Sequence, residues 1–251
     1  MGKNKLRKFS EMETFPNVIQ CSAAQAPDLS SPHPIAGNWH NQFFHNQNPI
    51  VLELGCGRGE YTVGLAGLFP DKNFIGVDIK GARIWAGAKQ AYLNQMTNVG
   101  FLRTNIEFLT RFFTHDEIDE IWITFPDPQM KKATKRLTSS FFLQRYSQIL
   151  KPNGIINLKT DSPFLYQYTR ELIKINSFSC LADTDNLYLS DLTNPVLSLK
   201  THYEHQWLDR GMTIKYLSFS LPQQEHYLEP DIEIEKDTYR SYGRNYQIQN
   251  Q

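Results

Sequence analysis

The stretch Val51 to Glu60, VLELGCGRGE, ties an apolar run to three glycines set one residue apart. Ile50 to Leu54 has the length and the branched, apolar composition of a buried strand, and Gly55, Gly57 and Gly59 punctuate its end. A residue without a Cβ admits positive φ and lets another molecule approach the backbone closely. A strand running into such a turn, with a helical pattern from Glu60 onward, is how nucleotide-binding α/β domains open. The same composition also suits a plain tight turn, so the glycines by themselves name no ligand.

Outward from this turn, short apolar runs alternate with longer helical patterns. Asn73 to Val77, Val99 to Leu102, Ile118 to Thr124 and Gly154 to Lys159 read as further strands. Glu60 to Phe69, Gly81 to Met96, Ile106 to Phe113, Thr138 to Leu150 and Pro163 to Ile175 read as helices, several bounded by Gly, Pro or Asn. Five successive β-α units predict an α/β fold, a doubly wound and mostly parallel sheet whose ligands bind beyond the carboxyl ends of the strands. Past Ile175 a loop-rich stretch leads to a short helix over Thr201 to Gly211. Met212 to Leu221 then alternates as a C-terminal antiparallel strand.

This pattern divides the chain in three. Residues 1–48 are rich in Asn, Gln, Ser, Pro and His and read as an irregular lead-in lying on a domain. Residues 49–221 form the domain. Residues 222–251 are a polar, glutamine-rich tail, ending YRSYGRNYQIQNQ, expected to be flexible or packed only locally.

Lys and Arg total 26 against 26 Asp and Glu in 251 residues, so any affinity for a polyanion must come from local clustering rather than net charge. Three widely spaced cysteines fit neither a disulfide framework nor a metal-binding pair, and no metal is expected. Lys3, Lys5, Arg7 and Lys8 make a basic start, but no apolar run follows as in a signal peptide, and no stretch has membrane-spanning length. A reduced, cytoplasmic protein is the expectation.

Two acids narrow the ligand. Glu53 precedes the glycine turn, and Asp78 ends the second strand in FIGVDIK, where a carboxylate accepts hydrogen bonds from two ribose hydroxyls. Asp78 alone would also suit a nicotinamide dinucleotide. A pyrophosphate, however, wants a GxGxxG helix start, whereas here the spacing is GxGxG with Glu53 and Glu60 flanking it. Acid there repels phosphate and suits a ligand with sulfonium and amino groups. ELGCGRG followed by GVD resembles the first two motifs of the class I S-adenosylmethionine-dependent methyltransferases. Asn105, ending the third strand, would sit near the adenine or cap the next helix. Cys56, within the turn, reads as a small apolar packer.

The fourth strand ends in ITFPDPQMKKATKRLTSSF, Ile123 to Phe141. Pro126 and Pro128 stiffen the backbone around Asp127 and hold its carboxylate at the strand tip. Lys131, Lys132, Lys135 and Arg136 follow as the densest basic cluster, which is either a solvated face or a grip on phosphates beside a bound methyl donor.

From about Gly37 to Leu221 the chain resembles the bacterial-type tRNA (guanine-N(7))-methyltransferases. GNWHNQFFHNQNPIVLELGCGRGE, GVDIKGARIWAGAKQA, FPDP with the following KK, LKTD at Leu158 to Asp161, and the T-x-Y-E of Thr201 to Glu204 carry the likeness. The resemblance implies that Glu53, Gly55, Gly57, Asp78, Asn105 and Asp127 hold S-adenosylmethionine, with Asp127 also catalytic. It implies that Lys131, Asp161, Thr201, Tyr203 and Glu204 hold the guanine, that tRNA is the partner, and that the protein is a monomer or homodimer. Read by themselves, Asp161 also suits an N-cap or turn and Glu204 an ordinary first-turn acid. The loop departs from the family pattern: Gln129 and Met130 stand where Trp-Pro is usual, and Ala133 and Thr134 lie in a shortened segment without the Arg-His pair. A methyltransferase acting on another substrate, and a tRNA-binding protein of this fold without activity, are the competing readings.

Overall fold

A computed structural model describes residues 2–20 and 31–238, the side chains of 2–5 aside. Eight strands, β1 (Val18–Gln20), β2 (Ile50–Leu54), β3 (Asn73–Asp78), β4 (Val99–Arg103), β5 (Ile118–Thr124), β6 (Leu150–Thr160), β7 (Cys180–Thr184) and β8 (Lys215–Leu221), form a sheet in the order β1-β4-β3-β2-β5-β6-β8-β7. Among the described residues, six α-helices accompany them: α1 (Gly2–Met12), α2 (Glu60–Leu68), α3 (Gly81–Leu93), α4 (Ser140–Tyr146), α5 (Pro163–Ile175) and α6 (His202–Leu208). The sheet is mostly parallel and doubly wound, with antiparallel strands at its C-terminal edge, and its order reverses after β2. Such a reversal opens a crevice at the carboxyl end of β2, where the glycine turn lies.

The chain forms two compact units, one of Met1–Trp122 with Gln148–Lys151, the other of Ile123–Ser147 with Pro152–Gln251. In the first, β2, β3 and β4 pair in parallel, Leu52 opposite Ile75 and Ile75 opposite Gly100. β2 and β3 are buried at every residue, which explains why they are apolar apart from Glu53, Asn73 and Asp78. The lead-in is more regular than its composition predicts. α1 packs on α3, where Glu11 accepts from the Trp85 indole at 2.8 Å and pairs with Lys89 at 2.6 Å. β1 adds a parallel edge strand beside β4. A π-helical turn over Trp39–Phe44 buries Trp39, whose indole N–H donates to the Phe112 carbonyl at 2.8 Å and whose ring stacks on Phe113. Three strand residues and one π-turn are too short for periodicity to reveal.

In the second unit β8 pairs antiparallel with β6, Leu158 opposite Leu217, and with β7 through a bulge at Cys180/Ala182. β7 and a 3-10 turn over Leu187–Leu189 occupy the stretch that reads as loop. The pattern over Thr138 to Leu150 yields a shorter helix, α4, and Leu150 already opens β6. The pattern over Ile106 to Phe113 yields a 3-10 helix, Ile106–Arg111, broken by the non-helical Phe108. Residues 222–238 carry no regular structure but are tied down: Leu228 N–H donates to the Asn176 side chain at 2.7 Å, Glu229 accepts from the Tyr168 hydroxyl and from Ser140 N–H, and Asp237 accepts from Ser162 Oγ and from Phe164 N–H at 3.0 Å. Cys21 and the terminal YRSYGRNYQIQNQ from Tyr239 on lie outside the described residues.

Gly59 closes the glycine turn at φ 71°, and a Cβ there would stand 2.5 Å from the Phe101 ring. Gly67, inside α2, would meet nothing within 4 Å. Urea denaturation should therefore show opposite signs: Gly59→Ala losing about 2–4 kcal/mol through a left-handed side chain and overpacking, Gly67→Ala gaining about 0.5–1 kcal/mol in helix propensity.

Candidate active site

At the carboxyl end of β2 the chain reverses through Gly55 (φ 76°) and Gly57 (φ 56°). Gly55 and Cys56 both donate their N–H to the Val77 carbonyl, at 2.8 and 3.1 Å, which ties the turn to the end of β3. Asp78, buried at that end, completes the tie: one carboxylate oxygen accepts from Gly57 N–H at 3.0 Å, the other from Lys80 N–H at 2.7 Å. Each oxygen keeps further acceptor capacity, the arrangement a diol needs. A Cβ on Gly57 would find only the Gly55 carbonyl, 3.9 Å away, so the turn presents bare backbone to a ligand.

Glu53 is buried and accepts from both the N–H and the hydroxyl of Thr62, with the backbone bond at 2.8 Å. Its charge thus sits against the first turn of α2, where the helix dipole favours an anion. Asn105 caps the following 3-10 helix, its side chain accepting from Glu107 N–H at 3.3 Å. Burial pushes the Cys56 thiol well above its ordinary pKa, and the Glu53 and Asp78 carboxylates add to that push. Cys56 is thus held as a neutral thiol.

In the second unit, Asp127 is exposed, between the buried Pro126 and Pro128, and accepts from Gln129 N–H at 3.0 Å. Phe125 (φ 49°) and Gln129 (φ 47°) bracket it in left-handed backbone that side-chain-bearing residues seldom adopt. Phe125 N–H donates to the Lys159 carbonyl at 2.8 Å. Lys131 and Lys132 are exposed on the loop that follows. Arg136 is not part of that basic face. Its guanidinium donates back to the Gln129 and Met130 carbonyls at 3.2 and 3.1 Å and lies over the Phe164 and Tyr168 rings, so it braces the loop from behind.

Asp161 is fully buried beyond the end of β6, and its carbonyl accepts from the Lys215 ammonium at 3.1 Å. Burial lowers the Lys215 pKa, while the Asp161 and Asp237 carboxylates oppose that shift. The cap of α5 is not Asp161 but Ser162, whose hydroxyl accepts from Leu165 N–H at 2.9 Å, with Pro163 in the first turn. Thr201 caps α6 by accepting from Glu204 N–H at 3.2 Å. Tyr203 is 38% exposed. Glu204 is wholly buried and faces Lys159 and Tyr188 instead of solvent.

These features have counterparts in known proteins. Residues 47–217 match the family model described as a putative methyltransferase. A tRNA (guanine-N(7)-)-methyltransferase of Bacteroides fragilis is 57% identical over 98% of this chain and 96% of its own length. Its counterpart in Porphyromonas gingivalis is 58% identical over 93% of this chain and 97% of its own. The chain belongs to the tRNA (guanine-N(7)-)-methyltransferase family. The crystal structure of the 16S rRNA methyltransferase KamB shares the fold, at a TM-score of 0.58 and 13% identity over 76% of this chain and 96% of that one.

In this tRNA (guanine-N(7)-)-methyltransferase the residues missed from sequence are those that hold others. Lys159 left one signal: a charged residue inside the run GIINLKTD must be paired if the strand is core. Ser162 and Asp237 left none, because caps and anchoring acids have no periodicity, and Arg136 showed as charge but not as the brace under its loop. Among the described residues no helix is long and apolar enough to cross a membrane.

The neutral Cys56 thiol gives a direct test. With its pKa raised, the thiolate fraction near pH 8 is small, and the side chain is buried. Iodoacetamide at pH 8 should alkylate the exposed Cys180 first in native protein, its own pKa being raised less, and both in urea. Peptide mass mapping that finds Cys56 modified at the Cys180 rate would contradict this.

Proposed function

We propose that the protein methylates N(7) of a guanine in tRNA, consuming S-adenosyl-L-methionine and releasing S-adenosyl-L-homocysteine, in the cytoplasm and without a metal. The observation that carries this is kinship of 57–58% over nearly the full chain with tRNA (guanine-N(7)-)-methyltransferases. The altered loop at Gln129 to Thr134 still presents exposed Asp127, Lys131 and Lys132, which is compatible with this reading.

The residues fit the donor. Glu53, Gly55, Gly57, Asp78 and Asn105 would hold it, Asp78 toward the ribose and the glycine turn against bare backbone, with acid rather than phosphate-binding charge nearby. When bound, S-adenosyl-L-methionine supplies an electrophilic methyl on a sulfonium, which the in-plane lone pair of guanine N(7) takes without loss of a proton. Alignment therefore matters more than a strong base. Asp127 would stabilise positive charge growing on the ring, and a preorganised carboxylate does this at no reorganisation cost. Lys131 would meet a phosphate, and Asp161, Thr201 and Tyr203 the guanine, with Glu204 supporting them.

Purified protein incubated with unmodified tRNA and labelled donor should yield tRNA that cleaves at 7-methylguanosine; no such nucleoside with any tRNA would end the proposal. Asp127→Ala should lower kcat about 100- to 1,000-fold with tRNA affinity kept. Lys131→Ala should weaken tRNA binding and flatten its dependence on log salt by about one phosphate contact. Unchanged turnover in Asp127→Ala removes that residue from the chemistry.

A further inference from the structure

Lys159 stands in the penultimate position of β6, its side chain entirely buried. Its ammonium has three protons and meets several acceptors: the Leu197 carbonyl at 2.9 Å, the Leu199 carbonyl at 2.8 Å and the Glu204 carboxylate at 2.9 and 3.0 Å. Glu204 in turn accepts from the Tyr188 hydroxyl. Burial lowers the Lys159 pKa, and the Glu204 carboxylate counters that shift. A buried ion pair adds little stability over an apolar replacement, and its use is directional: it fixes one geometry.

That geometry joins the substrate segments. Asp161 follows two residues beyond Lys159, just past the end of β6, and is fully buried. The Lys159 carbonyl accepts from Phe125 N–H at 2.8 Å, at the base of the Asp127 loop. The Lys159 side chain holds α6 through Glu204; the cap of that helix is Thr201, and Tyr203 is among its exposed residues. One residue thus ties Asp127, Asp161 and the Thr201 segment together. We infer that Lys159, through Glu204 and Tyr188, is the positioning residue of the guanine site, and that Glu204 acts from within the protein without touching the base. This rests on the guanine-binding role proposed above for Asp161, Thr201 and Tyr203.

Three variants of the full chain test it: Glu204→Gln, Tyr188→Phe and Asp161→Asn. Single-turnover methyl transfer to tRNA, tRNA affinity, donor affinity and Tm are measured for each. Glu204→Gln should slow transfer about 100-fold and Tyr188→Phe about tenfold, because misplacement by about 1 Å is enough for such losses. Donor affinity should stay as in the parent and tRNA affinity within about threefold, since phosphate contacts dominate it. A residue needed only for folding would move Tm, both affinities and rate together, and that pattern overturns the inference. So does a Tyr188→Phe rate equal to the parent's, since Glu204 acting directly on the base would not need Tyr188. If Glu204→Gln proves insoluble, Tyr188→Phe decides alone. A crippled Asp161→Asn beside normal Glu204→Gln and Tyr188→Phe rejects the positioning role and keeps the guanine site. Normal transfer by Asp161→Asn rejects the guanine site, and the inference with it.

Discussion

Two hydrogen bonds to Asp78, from Gly57 N–H and Lys80 N–H, hold the end of β3 against the turn that leaves β2. The rest of the first unit is arranged so that this contact can form. β2 and β3 are buried throughout, leaving the turn little latitude, and Gly59 packs so tightly under Phe101 that no larger residue fits. A buried carboxylate must be satisfied. Asp78 meets that demand with backbone donors, so it is oriented before any ligand arrives, and the cost of ordering falls on folding rather than on binding.

The second unit solves a different problem. The residues proposed to meet the substrate lie on an exposed loop, just past a strand end and on a seven-residue helix, none stiff by itself. Rigidity is imported through charged groups placed inside: Lys159 with Glu204, Arg136 under the loop, Lys215 beneath Asp161. Phe125 and Gln129 hold left-handed backbone only because their surroundings determine it. Buried charge, costly as a stabiliser, is suited to specifying one arrangement among several near-equal ones.

How much of this was legible follows from burial and period. β2, β3 and β4 stood out because strands covered on both faces read as largely apolar runs, β5 and β6 through their buried ends, and the acids because Glu53 interrupts β2 and Asp78 ends β3. β1 and the π-turn at Trp39 were hidden by brevity, and β7 because CLADT is an exposed strand with no apolar run. Arg136 was grouped with its lysine neighbours because charge runs look alike until a ring beneath one of them is seen. Glu204 read as a first-turn acid or a base contact, while its partner Lys159 lies 45 residues earlier, beyond any local pattern. The acid-rich stretch 222–238 has no period, yet the Glu229 and Asp237 carboxylates anchor it, each accepting from more than one donor.

β1 has a bearing on how the molecule is made. Val18 pairs with Phe101, so the first strand to leave the ribosome waits for a partner synthesised roughly 80 residues later. At translation speeds of about 5–20 residues per second that wait lasts on the order of 4–16 seconds. During it β2 and β3 can pair with each other, and β1 joins as the closing edge of that half of the sheet. With only three residues, half-buried, it offers little for a neighbouring nascent chain to seize in the interval.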